Sequence, residues 1–296
     1  PLGDQYSGVG ASGLQGGGGQ RTTVSPEALM ASVGTVEARH IGYAKSIAGA
    51  IPAAVRTATQ DPFGAQAAVL SLLLDRDAAV SKTQMSVLEE TLTPGELRQV
   101  VTLAPAIHDL DPRCRLPLLD LALPALQEFS QGQYRRFHEM IRRLVEADAE
   151  ISLFEYALQR IVLSRLGRKF DQPDQLATIK TEAAIHQECL VILSALAYVG
   201  GGDQTAAVRA FNTAAMRIGT QVAVAGILPA DQCSLTDVDE ALKKLALTTL
   251  FLKRKVMNAC IACVTADRQI TVEEGELVRL VAASIDCPMP PILMPE

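Results

Sequence analysis

A nine-residue phrase occurs twice in this chain of 296 residues. Ala147-Asp148-Ala149-Glu150-Ile151-Ser152-Leu153-Phe154-Glu155 is echoed by Ala266-Asp267-Arg268-Gln269-Ile270-Thr271-Val272-Glu273-Glu274. Both read Ala-Asp-x-x-Ile-[Ser/Thr]-x-x-Glu, and each follows one apolar helix-like run and opens another. Such a phrase joins two helices. Ser152 or Thr271 can cap the new helix, and Glu155 or Glu274 at its third position completes a capping box. A duplicated helix–cap–helix unit points to an all-α module with internal symmetry, and it names no reaction by itself.

The other punctuation agrees. Ser25-Pro26, Asp61-Pro62, Thr93-Pro94 and Asp111-Pro112 each set a capping side chain before a proline, the combination that starts helices. Between them lie helix-length segments such as 65–74 and 80–92. The spacing predicts further helices over 131–147, 175–199 and 204–218. A loop over 228–236 follows, with Thr236 and Asp237 as the next cap, and then a run over 242–265. The last helix carries Leu277, Leu280, Val281 and Ile285. No stretch alternates like a strand between hairpin turns. The expected fold is all-α: a multi-helix stack followed by the duplicated helical module.

Composition narrows the function. Hydrophobic residues make up 48% while aromatics are only 4%, so the apolar content is mostly aliphatic and suits packed helices. A net charge of −6 argues against a nucleic-acid partner, whose footprint would be basic. No uninterrupted apolar run approaches the roughly 20 residues that span a bilayer. The six cysteines are scattered and read as reduced, buried thiols. Residues 1–24, with Gly16-Gly17-Gly18-Gly19, read as a flexible Gly-rich linker. The chain opens Pro1-Leu2-Gly3 without a Met, which together with that tether suggests a piece of a longer protein.

Several groups invite a chemical reading. His138-Glu139-Met140-Ile141-Arg142 is half of a zinc-protease helix, but a cation stands where the second histidine must be. His186-Gln187-Glu188 with Cys260-Ile261-Ala262-Cys263 resembles a zinc-deaminase ligand set only superficially; Ala259 replaces the proline and both cysteines sit in an apolar run. Arg135, Arg136, Arg142, Arg143, Arg165, Arg168 and Lys169 could face anionic lipid or an acidic partner, although a solvated face explains them too. No catalytic residue is legible. The candidate metal ligands are the carboxylates Asp148, Glu155, Asp267 and Glu274, with Glu150 and Glu273 beside them. Alternatively, Asp148 and Asp267 satisfy backbone donors in the turn while the glutamates cap the next helices. The second reading is favoured, because each phrase offers few ligands compared with a calcium loop.

At the duplicated phrase the chain resembles the TerB-like (tellurite-resistance-associated) helical domain, whose Ala-Asp-Gly-x-Ile-x-x-x-Glu motif stands at two helix junctions. Asp148, Ile151 and Glu155 match the first motif, and Asp267, Ile270 and Glu274 the second. Ala149 and Arg268 replace the family's Gly, and a Cβ there disfavours a left-handed turn. From about Pro26 onward the chain also resembles the C-terminal cytoplasmic extension of bacterial HtpX-like membrane zinc metalloproteases. The residues that carry this are Ile51-Pro52, Asp61-Pro62-Phe63-Gly64-Ala65, Leu72-Leu73-Leu74-Asp75, Leu116-Pro117-Leu118-Leu119-Asp120-Leu121-Ala122 and Asp286-Cys287-Pro288.

The resemblance implies three parts: the linker 1–24, an N-terminal helical stack over 25–130, and a TerB-like module over 131–296 with a helical insertion at about 172–235. It implies a non-catalytic domain on the cytoplasmic side of the bacterial inner membrane that binds a protein partner or substrate, or regulates the protease. The parent would be membrane-anchored, and zinc, the only cofactor implied, belongs to its protease domain upstream. The alternative is a metal-responsive TerB-like sensor or a stress-response binding module. No oligomeric state can be read from these residues.

Overall fold

The computed structural model describes residues 22–23, 29–30, 38–75, 77–146, 153–170, 177–200, 203–287 and 289. Among them the fold is all-α, with fourteen α-helices and two strands of two residues each. The chain forms two compact units, Gly42–Ile151 with Leu158–Asp174, and Pro1–Ile41 with Ser152–Ala157 and Gln175–Glu296. They are called the first and second unit below.

The first unit takes in most of α1 (Ala38–Ala50), then α2 (Ala53–Ala58), α3 (Pro62–Leu72), α4 (Ala78–Thr91), α5 (Pro94–His108), α6 (Arg115–Leu126), α7 (Gln131–Glu146) and most of α8 (Leu153–Phe170). Helix α3 starts where Asp61 Oδ1 accepts the amides of Phe63 and Gly64, both at 3.0 Å, with Pro62 as its first residue. From Gly64 to Leu72 every residue is buried, so α3 is the central rod, with α5 and α6 packed on it. Helix α7 is amphipathic: Tyr134, Phe137, Met140, Ile141 and Leu144 are buried along one stripe. Three of its four arginines are matched within the unit. Arg136 pairs with Glu96, Arg142 with Glu139 and Arg143 with Glu90, while Arg165 of α8 pairs with Asp120.

The capping box of α5 gives the unit an acid-sensitive point. Thr93 and Glu96 bond each other's backbone, and Arg136 reaches the same carboxylate. Burial alone would raise the Glu96 pKa, but the Thr93 bonds and the Arg136 charge together hold it below the ordinary carboxylate value. A carboxylate lowered in the folded state adds stability above its ordinary pKa and loses it as pH falls through the lowered one. Glu96→Gln is therefore expected to cost about 1 kcal/mol at neutral pH and nothing in strong acid. Urea midpoints of both proteins across the acid range check this; parallel curves would show that the charge contributes nothing.

The second unit contains α9 (His186–Val199), α10 (Gln204–Ile218), α11 (Thr220–Ala225), α12 (Leu235–Ala246), α13 (Leu250–Val264) and α14 (Val272–Ser284). Helix α9 is buried from Cys189 to Ala197 and takes α10, α12 and α13 against it. The stretch Glu182–Val199 is long and apolar enough to cross a membrane by length and composition (mean hydropathy 1.3), and 56% of it is buried in the way of a core helix. Thr22–Thr23 pairs antiparallel with Gln269–Ile270, in the register Thr22 with Ile270 and Thr23 with Gln269.

Two helix expectations need correction here, for a shared reason. In the run over 175–199 the described residues 177–181 are not helical and helix begins with the 3₁₀ turn Glu182–Ile185, and the run over 242–265 breaks at Leu247–Thr249. The two irregular pieces satisfy each other: the Thr178 and Ile179 amides donate to Leu247 O at 2.9 and 3.1 Å, and the Thr249 amide donates to Ile179 O at 3.1 Å. Each piece exchanges helical bonds for a short parallel bridge. The cap of α12 is Ser234 rather than Thr236, in a capping box with Asp237. That start puts Leu235, Val238, Leu242 and Leu245 on one buried stripe.

Candidate functional site

The second copy of the duplicated phrase forms the junction between α13 and α14. Helix α13 ends at Val264, and the Arg268 amide closes the turn on Thr265 O at 2.9 Å. The Asp267 carboxylate accepts the Gln269 amide at 2.9 Å, which is the turn-stabilising role foreseen for it. Thr271 and Glu274 then form a complete capping box: the Thr271 amide donates to Glu274 Oε2 at 2.7 Å, and the Glu274 amide donates to Thr271 Oγ1 at 3.1 Å. Ile270 is fully buried.

Arg268 holds φ +63°, a left-handed turn at a residue that carries a side chain. The expectation that a Cβ would disfavour such a turn is thus overridden by the bonds on either side of it. An L-residue in this conformation costs roughly 1–2 kcal/mol. Arg268→Gly is expected to raise stability by about 1 kcal/mol, read as a higher urea midpoint with unchanged helicity. A lowered midpoint would mean that the Arg268 side chain contributes more than its backbone costs.

Asp267 and Glu274 line one cleft of about 180 Å³ with Gly200, Arg209 and Cys263. Gly200 adjoins the second carboxylate: a Cβ there would stand 3.2 Å from Glu274 Oε1. The cleft therefore combines two carboxylates with one exposed guanidinium. Of the other proposed ligands, Asp148 and Glu150 lie outside the described residues, as do the side chains of Glu155 and Glu273. Among the described residues no group of three or more His, Cys, Asp or Glu side chains is arranged to hold a metal ion.

The remaining sequence candidates have structural partners. His138 packs its ring against Tyr134 at 6.0 Å, and Glu139 accepts from Arg142 Nε at 2.9 Å, so the half-motif is a helix-surface pair. Glu188 pairs with Lys244 at 2.7 Å, and His186 Nδ1 lies 2.9 Å from Ala183 O. All six cysteines are buried. Burial pushes the Cys189 and Cys263 thiols up to about 12, and it carries Cys260 well upward too, with Cys263 and Cys189 adding to the effect. These are protonated core thiols, poor as nucleophiles or metal ligands at neutral pH.

Sequence reasoning missed a buried polar pair and an exposed tip. The Tyr156 hydroxyl donates to Asp239, both residues being fully buried, and Lys243 forms an ion pair with the same carboxylate. Leu250 and Phe251, at the start of α13, are 62% and 73% exposed. The only local signal for the tip was two large apolar residues, Leu250 and Phe251, directly after two threonines. No protein-family model matches the chain, and neither a curated protein nor a solved structure does.

Proposed function

We propose that this chain is a non-catalytic helical domain that binds a protein partner or substrate, on the cytoplasmic side of a membrane-bound zinc metalloprotease of the HtpX-like kind. The observation that carries this reading is the α13–α14 junction. Its Asp turn, left-handed Arg268, buried Ile270 and Thr271–Glu274 capping box form a helix junction on the residues that carry the TerB-like resemblance, which supports the reading. The raised thiol pKa values and the paired state of His138-Glu139 and Glu188 support a binding role over hydrolysis by these residues.

Two measurements test it. The coding region upstream of Pro1 is expected to encode transmembrane segments and a His-Glu-x-x-His helix; a start codon with nothing before it overturns the protease attachment. The chain itself, incubated with an unfolded protein, is expected to leave it intact, and robust cleavage ends the non-catalytic reading.

A metal-responsive sensor is the second reading, favoured by the convergence of Asp267 and Glu274 on one cleft. It requires millimolar calcium to raise the unfolding temperature and Asp148→Asn with Asp267→Asn to abolish the rise. Arg209 in the same cleft opposes a cation there, so the binding-module reading expects no shift.

A further inference from the structure

The second unit carries a tip that is apolar and basic at once. Helices α10 and α13 run antiparallel. At one end, Ala206 and Arg209 from the start of α10 share the cleft with Cys263 and Val264 from the end of α13. At the other end, Glu182 Oε1 bonds Lys255 at 2.5 Å, while its Oε2 lies 3.7 Å from where a Cβ on Gly219 would stand. The end of α10 therefore meets the start of α13. Met216 stands there at 72% exposure, Leu250 and Phe251 are as open, and Val224 in the short helix beyond Gly219 is 86% exposed. Three large apolar side chains this exposed at one end of a helix pair, Met216, Leu250 and Phe251, are unusual.

Positive charge surrounds them. Lys180 adjoins Leu250, because the Thr249 amide bonds the carbonyl of Ile179. Arg217 follows Met216, and Arg254 lies one turn after Leu250. All three are exposed, and none has an ion-pair partner among the described residues, whereas the nearby acid Glu182 is already held by Lys255.

We propose that this tip docks the chain on an anionic membrane surface. Met216, Leu250 and Phe251 are all exposed at this end of the helix pair, which suits insertion at the boundary of headgroups and acyl chains. Lys180, Arg217 and Arg254 stay at headgroup level, where anionic lipid attracts each base. The net charge of −6 makes the rest of the surface repel such a membrane, so the basic tip also sets which way the domain faces. This inference stands on those side chains alone and does not need the protease attachment.

Flotation of the full chain with vesicles of phosphatidylcholine, alone or mixed with phosphatidylglycerol, tests it. Binding is expected only to the mixed vesicles and is expected to weaken with salt. The double variant Leu250→Ser, Phe251→Ser should lower the partition coefficient about tenfold or more, and Arg217→Gln with Arg254→Gln about tenfold. Phe63→Ser, which removes an exposed aromatic from the first unit, should leave it unchanged. These side chains are all exposed, and unchanged unfolding temperatures would confirm intact folds. Equal binding to both vesicle types, or full binding by the Leu250→Ser, Phe251→Ser variant, overturns the proposal. So does binding to soluble polyglutamate without binding to vesicles, which would identify an acidic protein partner instead.

Discussion

Replacing Gly64 with alanine is expected to cost about 3 kcal/mol, although the same change in an open helix stabilises by roughly 1 kcal/mol. Gly64 sits in the first turn of α3, directly over the end of α2. A Cβ there would lie 2.1 Å from the carbonyl oxygen of Ala58 and 2.8 Å from its carbonyl carbon. It would also lie 2.9 Å from Asp61 Oδ2, on the carboxylate that caps the helix. The two Ala58 atoms are backbone, so no rotamer change relieves the contact; either α2 moves or the cap opens. Since α3 is the buried rod of the first unit, the displacement reaches α5 and α6. Gly95→Ala is the matched control: it occupies the first turn of α5 with nothing within 4 Å of its Cβ position. That change is expected to be neutral or to stabilise by about 0.5 kcal/mol. Urea denaturation of both variants decides, and a Gly64→Ala midpoint at or above the parent's would show that α2 yields at no cost.

Gly64 also shows what can be read from a sequence like this. The start of α3 was legible because Asp61 and Pro62 act on their own neighbours, as Thr93-Pro94 does at the start of α5 and Asp111-Pro112 does at the 3₁₀ turn Pro112–Cys114. The span Gln204–Ile218 was likewise readable at both ends, Asp203 capping one and Gly219 following the other. The need for glycine at 64 was not legible, because the atom that forbids a side chain belongs to a different helix. The break at Leu247–Thr249 was hidden for the same kind of reason: its partners, Thr178 and Ile179, lie about seventy residues earlier. At the candidate site, the roles of Asp267, Thr271 and Glu274 follow from spacing, since a capping box spans only three residues. Their meeting with Arg209 and Gly200 depends on how α9, α10, α13 and α14 pack, and no spacing encodes that.

The buried pair in the second unit gives the other large effect. Tyr156 and Asp239 are 83 residues apart in sequence, both fully buried, and joined by a hydrogen bond from the phenol to the carboxylate. Lys243, one turn further along α12, balances the charge while remaining 41% exposed. Asp239→Ala removes the acceptor from a buried hydroxyl and the counter-charge from Lys243 together. Its expected cost is about 3 kcal/mol, the range for breaking a buried charged pair from one side. Asp239→Asn keeps an oxygen for the phenol and should cost clearly less; Tyr156→Phe removes only the donor and should cost about 1–2 kcal/mol. If the hydrogen bond is the link, the Tyr156→Phe, Asp239→Ala double variant will lose less than the two single variants added together, by about 1 kcal/mol or more. Strict additivity in that cycle would mean that Asp239 acts through Lys243 and its helix alone. The place of Tyr156 in the second unit would then rest on packing around its ring instead of on its hydroxyl.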